Sequence, residues 1–487
     1  MKVSIITEGY HNTGYGHITR CLSLYQAFEI RNIIPTFYVN GDEPSKEFLK
    51  DTNFQIINWL ENQTELFHKV KDSDVIIVDS YKAEKEFYDH ISMLTPSPVF
   101  LDDTLRINYP SGIILNGGIN AEAMNYPKRD DLILALGTRF TPIRKEFWEV
   151  IDKPLRVEMQ TVLIIFGGQD VQNLTPRIMK IFSRNFPNFK KKIIIGSGFT
   201  NQDQIYEAKD DSTELYYAPS AQELIKIMSD CDLAISAGGQ TINELARLGI
   251  PTVAIAVADN QIPHLNGWLK EKFLLAELTY TQPNLEHRLL LVLNHLKKKS
   301  VRDAVSKIGR QRIDGGGARR IAQFLVEKTA GKNGYYFRNV IAKDASMIFN
   351  LSNDRLVRAN SINQESIKWS DHLDWFTGKL MDDDCIFLVA FTTSDKFIGQ
   401  VRFEIKGYYA EVNISLDKDF RGKGYSKSLI FNASYKCFHL KPNVGHILAY
   451  IRPQNSFSIK AFSKAGYVPF QKEKINDEEY FVLKLKR

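Results

Sequence analysis

Cysteine is scarce in this chain: four in 487 residues, at Cys21, Cys231, Cys385 and Cys437. They lie far apart and form no C-x-x-C, so neither a disulfide framework nor a sequence-local zinc site is expected. The ten histidines show no H-x-x-x-H or H-E-x-x-H spacing, and no metal is expected. Long apolar runs are missing too. Ile250 to Ala258 is about half of the roughly 20 residues that a spanning helix needs. The start, MKVSIIT, holds one Lys and a very short apolar run, whereas a signal peptide needs a longer apolar core and a small-residue cleavage site. A cytoplasmic chain with no membrane partner is the expectation. An excess of one charge is also lacking. Lys plus Arg number 63 against 57 Asp plus Glu, a net +6, which over this length does not call for nucleic acid.

What is present is a globular composition, 44% hydrophobic and 25% charged, which rules out disorder for most of the chain. The length implies two to four domains. Short apolar runs alternate with helical patterns over the first two thirds. Val3 to Thr7, Thr36 to Asn40, Val75 to Asp79 and Val99 to Asp102 read as buried strands. The rhythm restarts at Thr161 to Phe166, then Lys192 to Ile195, Glu214 to Tyr217, Leu233 to Ser236 and Thr252 to Val257. Strands alternating with helices imply parallel sheets. Two α/β domains are expected, 1–150 and 151–328, with the helix that closes the second opened by Asp314-Gly-Gly-Gly-Ala318.

Glu327 to Gly334 has a linker's composition. Beyond it the pattern changes, and an α+β domain is expected over 335–487. Two helices (about 343–357 and 363–380) precede strands at Cys385–Thr392, Phe397–Ile405 and Ala410–Leu416. A helix from about Lys423 to Phe438, a strand at His446–Ile451 and a helix at Ser456–Ala465 follow.

Three glycine junctions carry the chemistry of the first unit. Gly14-Tyr15-Gly16-His17-Ile-Thr-Arg20 follows the first strand and opens a helix. Glycines there let a backbone approach a ligand, and a helix start favours a diphosphate. The spacing is not the dinucleotide G-x-G-x-x-G. His17 at the loop tip is a candidate general base; a histidine capping the helix is the alternative. Asp79 and Tyr81 end a strand and are expected to point into the same cleft. Gly167 and Gly168 end another. Ser236-Ala-Gly238-Gly239-Gln240 ends a third, with Gly238 and Gly239 expected to offer amides to phosphate. Glu244, one turn after Gln240, can accept two ribose hydroxyls. Asn260 and Gln261 return amides to the same sheet end.

Together Gly14-x-Gly16-His17-x-x-Arg20, Asp79-x-Tyr81, Phe166-Gly-Gly-x-Asp170, Asn243-Glu244 and Asn260-Gln261 resemble the UDP-2,4-diacetamido-2,4,6-trideoxy-β-L-altropyranose hydrolases of pseudaminic acid biosynthesis. That family is similar to the GT-B glycosyltransferases. The resemblance, over about residues 1–328, implies His17 as catalytic base, Tyr81 and Asn260 at the sugar, and Glu244 at the ribose.

In the last domain, Phe420-Arg421-Gly422-Lys423-Gly424-Tyr425-Ser426 stands between a strand and a helix, a row of amides suited to a pyrophosphate. With Asn455-x-x-Ser458 and Ala465-Gly-Tyr467, the element order resembles the GNAT N-acetyltransferases over 335–487. Acetyl-CoA is then the cosubstrate, held by Arg421, Gly422, Lys423, Gly424, Tyr425, Asn455 and Ser458. Ser352-Asn-Asp-x-x-Val357-Arg358-x-x-Ser361 and His372-x-x-Trp375-Phe376 look like the subgroup that acetylates the 4-amine of UDP-4-amino-4,6-dideoxy-N-acetyl-β-L-altrosamine; core packing is the simpler reading of His372, Trp375 and Phe376. Many of these enzymes carry a Tyr acid where this chain has Phe462, so the thiolate takes its proton from water or from another residue such as Glu411 or Tyr450, with Tyr467 expected to pack; a domain that binds acetyl-CoA but transfers poorly is the alternative.

The resemblances imply a bifunctional enzyme that acetylates the 4-amine and then hydrolyses the product to UDP and 2,4-diacetamido-2,4,6-trideoxy-L-altrose. The alternatives are a glycosyltransferase fused to an acyltransferase, a related pair acting on another nonulosonic acid precursor, and a sugar-nucleotide-binding regulator.

Overall fold

The computed structural model describes residues 1–10, 14–330 and 334–487. Contacts divide it into two compact units, Val3–Ile30 with Ile34–Phe324, and Leu325–Arg487 with Met1–Lys2 and Arg31–Ile33.

The first unit holds two parallel sheets. One is built from β1 (Val3–Gly9), β2 (Thr36–Gly41), β3 (Phe54–Ile56), β4 (Val75–Asp79), β5 (Pro98–Leu101), β6 (Gly112–Asn116) and β7 (Leu132–Leu136), in the order 3-2-1-4-5-6-7. Every residue of β1 and β4 is buried, as in a sheet covered on both faces. The order reverses between β1 and β4, which is where open parallel sheets place their ligands. The other sheet contains β8 (Thr161–Ile165), β9 (Lys190–Ile195), β10 (Thr213–Tyr217), β11 (Leu233–Ala237) and β12 (Thr252–Ile255), ordered 10-9-8-11-12. Its reversal falls between β8 and β11. Val162, Ile164, Ile193 and Ile235 pack there against Ile178 and Phe182 of the helix Leu174–Asn185 and Leu289 of the helix Leu285–Leu296.

The two sheets are tied together at specific points. Arg247 donates to the carbonyls of Phe147 and Trp148 at 3.0 and 2.8 Å. Gly267 lies so close to Ile119 that a Cβ would come within 2.4 Å of its Cγ2.

The second unit is a mixed sheet of β13 (Tyr335–Asn339), β14 (Cys385–Thr392), β15 (Phe397–Lys406), β16 (Tyr409–Leu416), β17 (His446–Ile451), β18 (Val468–Ile475) and β19 (Glu478–Lys486), ordered 13-14-15-16-17-19-18. β16 and β17 run parallel and pair only from Tyr409↔His446 to Glu411↔Leu448. Beyond that point the two strands part. The helix Tyr425–Leu440 packs Ile430, Ala433 and Cys437 against one face. Ile348 and Phe376 pack with Phe387 and Val389 of β14 in a separate cluster.

Several expectations need adjusting. β3, β6, β7, β13, β18 and β19 were not anticipated; β3 has three residues and β18 is mostly exposed, so neither shows a buried apolar run. The expected helix over 343–357 is two, Ala345–Ser352 and Arg355–Asn360, because Asp354 turns to cap the second through Leu356 and Val357. The expected 363–380 helix starts only at Trp369. Of the expected linker, residues up to Ala330 continue the helix Gly317–Ala330; Gly331 to Asn333 lie outside the described residues.

Among the described residues no helix is long and apolar enough to cross a membrane. No group of three or more His, Cys, Asp or Glu among them could hold a metal ion. All four cysteines are free.

Candidate active sites

At the β1/β4 reversal the first sheet gathers a cluster of charged side chains. The helix Gly16–Glu29 starts directly after the β1 loop and carries His17 and Arg20. Asp79 is the last residue of β4 and is fully buried. His17 Nδ1 lies 2.5 Å from Asp79 Oδ1. Arg20 donates to the same carboxylate through Nε at 2.5 Å and Nη2 at 2.6 Å. Burial opposes the charge on Asp79, but Arg20 and His17 together outweigh it and hold the carboxyl well below its usual range. An ionised carboxylate only accepts. Nδ1 of His17 is therefore the donor in this pair, and Nε2 is the ring nitrogen not engaged by Asp79.

Asp103, just past β5, completes the cluster. It pairs with Arg20 and accepts the Tyr81 hydroxyl at 2.9 Å. Burial again works against its charge, and Arg20 again prevails, so its pKa is lowered. The Tyr81 ring meets His17 edge-on at 4.4 Å and stays 39% exposed. Asp103 is the residue that the sequence reading missed. The signal was the Asp pair that follows a buried strand at the same sheet end as Asp79.

Placement corrects three expectations here. Asp79 does not open into a cleft; both its oxygens are engaged beneath His17. Arg20 is likewise buried and committed to two carboxylates. Tyr15 is turned away: its hydroxyl donates to Asp42 at 3.1 Å and its ring packs on Phe48. Gly14, at φ +85°, and Gly16 have open space where a Cβ would be.

The second sheet's reversal has a different character. Gly167 and Gly168 follow β8 with nothing within 4 Å of a Cβ position, and Gly239 follows β11 equally bare. Gly238 differs. Its amide donates to Gln261 Oε1 at 3.2 Å, and a Cβ would strike Leu265 at 2.9 Å. Gly238 is therefore a packing glycine with an occupied amide. The Gln261 side-chain oxygen is occupied too, since it also accepts from Val257 N–H at 3.1 Å. Gln240 is half-buried and accepts from Asn243, while Asn260 is exposed. Asp170 caps the helix Leu174–Asn185 through the amides of Leu174 and Thr175. Glu244 is not presented to a ribose: Arg144 holds both oxygens, at 2.8 and 2.9 Å. Burial nevertheless lifts its pKa, because one arginine does not fully offset it.

In the second unit, Gly422 and Gly424 adopt φ +73° and +85° with open space around them. These left-handed turns suit glycine and lead into the helix Tyr425–Leu440, whose first amides have no intrahelical partner. Arg421 is occupied: it donates to the Leu416 carbonyl at 2.9 Å and pairs with Asp354 at 2.8 Å. Lys423 is exposed and lies over the Phe420 ring, which also meets Tyr425 edge-on. Asn455 caps the helix Ser456–Lys464 by accepting the Ser458 amide, so these two residues bind each other.

Phe462 is buried in the core, and Tyr467, also buried, shares a hydrogen bond with Ser434. Glu411 and Tyr450 stand where β16 and β17 part. Burial, helped by Glu404 and Glu473 and opposed by Lys406, raises the Glu411 pKa. Burial and Glu473 push Tyr450 up to about 12. Arg358 donates to the carbonyls of Ser352, Asn363 and Glu365 and so shapes the loop before Trp369. His372 is buried among Phe349, Trp375 and Phe376 with Nε2 at the Ala345 carbonyl.

Known proteins agree with this division. Residues 161–307 match the glycosyltransferase family 28 C-terminal domain, and residues 335–468 the acetyltransferase (GNAT) domain. An uncharacterized protein of Methanocaldococcus jannaschii is 24% identical over 99% of this chain and all of its own length. The pseudaminic acid cytidylyltransferase and UDP-2,4-diacetamido-2,4,6-trideoxy-β-L-altropyranose hydrolase of Helicobacter pylori is 27% identical over 54% of this chain and 46% of its own. A spore coat polysaccharide biosynthesis protein of Bacillus subtilis is 24% identical over 54% of this chain and 79% of its own. Among solved structures, spermidine N-acetyltransferase from Vibrio cholerae in complex with CoA and spermine covers 31% of this chain and 94% of its own, at 20% identity and a TM-score of 0.29. The resemblance read from the motifs therefore holds: a GT-B-like pair of parallel α/β sheets is followed by a GNAT-type acetyltransferase domain, for which acetyl-CoA is the cosubstrate.

Proposed function

We propose that the chain is a bifunctional cytoplasmic enzyme of nonulosonic acid synthesis, organised as 1–150, 151–328 and 335–487. The last domain acetylates the 4-amine of UDP-4-amino-4,6-dideoxy-N-acetyl-β-L-altrosamine. The first two hydrolyse the product to UDP and 2,4-diacetamido-2,4,6-trideoxy-L-altrose. The observation that carries the hydrolase is the His17–Asp79 pair at 2.5 Å on the sheet reversal. Nε2 of His17 takes a proton from water as the water oxygen bonds to the anomeric carbon. The bond from that carbon to the diphosphate oxygen breaks, and UDP leaves with the electron pair. Asp79 stays ionised and stabilises the imidazolium. The bare turns at Gly167, Gly168 and Gly239, and the helix start beyond Gly239, receive the diphosphate.

In the acetyltransferase, the loop Gly422–Gly424 takes the pyrophosphate of acetyl-CoA. The substrate amine attacks the thioester carbonyl and gives up a proton, and the thiolate leaves and gains one. Phe462 cannot donate. In this proposal Glu411 takes the amine's proton, directly or through water, and Tyr450 protonates the thiolate.

The match of 161–307 to a glycosyltransferase domain favours a second reading, in which an acceptor sugar replaces water. One experiment separates them. Incubated with the UDP-4-amino sugar, acetyl-CoA and no acceptor, the chain should form first the diacetamido nucleotide sugar and then UDP with free sugar, followed by mass spectrometry. UDP release only after an acceptor is added supports the transferase.

A further inference from the structure

Asp102 and Asp103 follow β5 and face different ways. Asp102 is buried and turned inward: its oxygens accept the amides of Thr104 and Leu105 and the hydroxyl of Tyr126. The Asp103 side chain stays 34% exposed. The guanidinium that holds Asp79 also holds Asp103. Arg20 Nη2 lies 2.6 Å from Asp79 Oδ1 and 3.5 Å from His17 Nδ1, while Nη1 donates to Asp103 Oδ2. One guanidinium therefore separates Asp103 from the His17–Asp79 pair. Tyr81 joins them independently, with its ring edge-on to His17 at 4.4 Å and its hydroxyl donating to the same Asp103 Oδ2 at 2.9 Å. Both protein donors thus fall on Oδ2 and fix the carboxylate. Oδ1 has no donor among the described residues. Asp79 differs: it is fully buried, and both its oxygens are engaged.

An ionised carboxylate oxygen that is held in place, reachable and without a donor attracts a hydrogen-bond donor and repels a phosphate. With the anomeric carbon of a UDP-sugar at His17, the donors nearest Asp103 are the sugar's own hydroxyl and amide N–H groups. The ribose and uracil lie beyond the diphosphate. We infer that Asp103 Oδ1 accepts a hydrogen bond from a hydroxyl or amide N–H of the sugar, and so turns the sugar towards His17 and the diphosphate away from it. Asp103 is then a substrate-binding residue and not only a counter-ion of Arg20. This rests on the UDP-sugar reading above.

The test measures dissociation constants by calorimetry for the UDP-2,4-diacetamido sugar and for UDP. It uses the His17→Ala chain, where turnover is slow, and the same chain with Asp103→Asn or Asp103→Ala. Asparagine keeps an oxygen for Arg20 and Tyr81 and puts an NH2 where Oδ1 was; alanine removes both oxygens. Sugar affinity should fall roughly ten- to a hundredfold in the worse of the two variants, with UDP affinity unchanged. An amide N–H on the sugar makes asparagine the worse, because donor then meets donor. A hydroxyl, which can turn and accept, makes alanine the worse, with a smaller loss in asparagine because the charge on the acceptor is gone. Full sugar affinity in the asparagine variant reduces Asp103 to a structural partner of Arg20 and overturns the inference, as do equal losses for UDP and the sugar in both variants. A wild-type chain that binds the UDP-sugar but releases no UDP from it overturns the hydrolase reading alone; one that binds neither the UDP-sugar nor UDP overturns both.

Discussion

The two sheets of the first unit carry the same architecture and opposite chemistry at their reversals. In the first, His17, Arg20, Asp79, Asp103 and Tyr81 form a continuous network of charge and hydrogen bonds. In the second, Gly167, Gly168 and Gly239 leave open space and backbone. On the proposed function, the difference separates two tasks. Activating water needs a side chain with a lone pair and a partner that stays charged. Holding a diphosphate needs room and unpaired amides. The buried carboxylates show the same contrast. Asp79 faces an arginine and a histidine, and its pKa falls; Glu244 faces one arginine, and burial raises it.

The largest expected effect breaks the charged side. His17→Ala should lower UDP release by about a hundredfold or more while acetyl transfer continues, measured by separate assays on the same preparation. Hydrolysis near the wild-type rate would reduce His17 to a helix cap. Asp79→Asn should also slow hydrolysis, and it leaves Arg20 buried with less counter-charge, a change that costs about 3–5 kcal/mol when a buried pair is broken. Chemical denaturation would measure this. The folded Asp79 pKa lies below the unfolded value, so its contribution is present above the usual carboxylate range and fades as pH falls towards the folded pKa. The stability gap between wild type and Asp79→Asn should therefore narrow in acid; a constant gap would remove the charge from the explanation.

The glycine side should respond differently. Gly239→Val fills the open turn after β11 and should raise KM for the UDP-sugar about tenfold or more with a smaller change in kcat. A collapse of kcat at unchanged KM would erase the division of labour. The smallest effect is expected at Arg144→Met. Because Glu244 is joined to Arg144, the substitution frees the carboxylate but leaves it buried, so stability should fall more than activity. Activity loss without loss of stability would return Glu244 to the ribose.

Much of this layout was legible from residue order alone. Strands such as β4 and β8 are largely apolar runs, and the glycine junctions lie at the ends of β1, β8 and β11, where parallel sheets put ligand loops. The His17 loop, Gly167–Gly168 and the Gly422–Gly424 turn were visible for that reason. What was hidden depends on partners distant in the chain. Arg144 lies 100 residues from Glu244, and the Gln261 side chain crosses to the Gly238 amide, so neither spacing nor composition showed that these groups were occupied. Asp103 escaped notice because its role comes from Arg20, on another element. β18, exposed along most of its length, gave no apolar run to detect.

The central claim is that water activated by His17 attacks the anomeric carbon and not phosphorus. Hydrolysis of the UDP-diacetamido sugar in oxygen-18 water, quenched early and analysed by mass spectrometry of the UDP, tests it most directly. The account predicts unlabelled UDP from the wild-type chain and almost none from His17→Ala. Oxygen-18 in the diphosphate of UDP would contradict it.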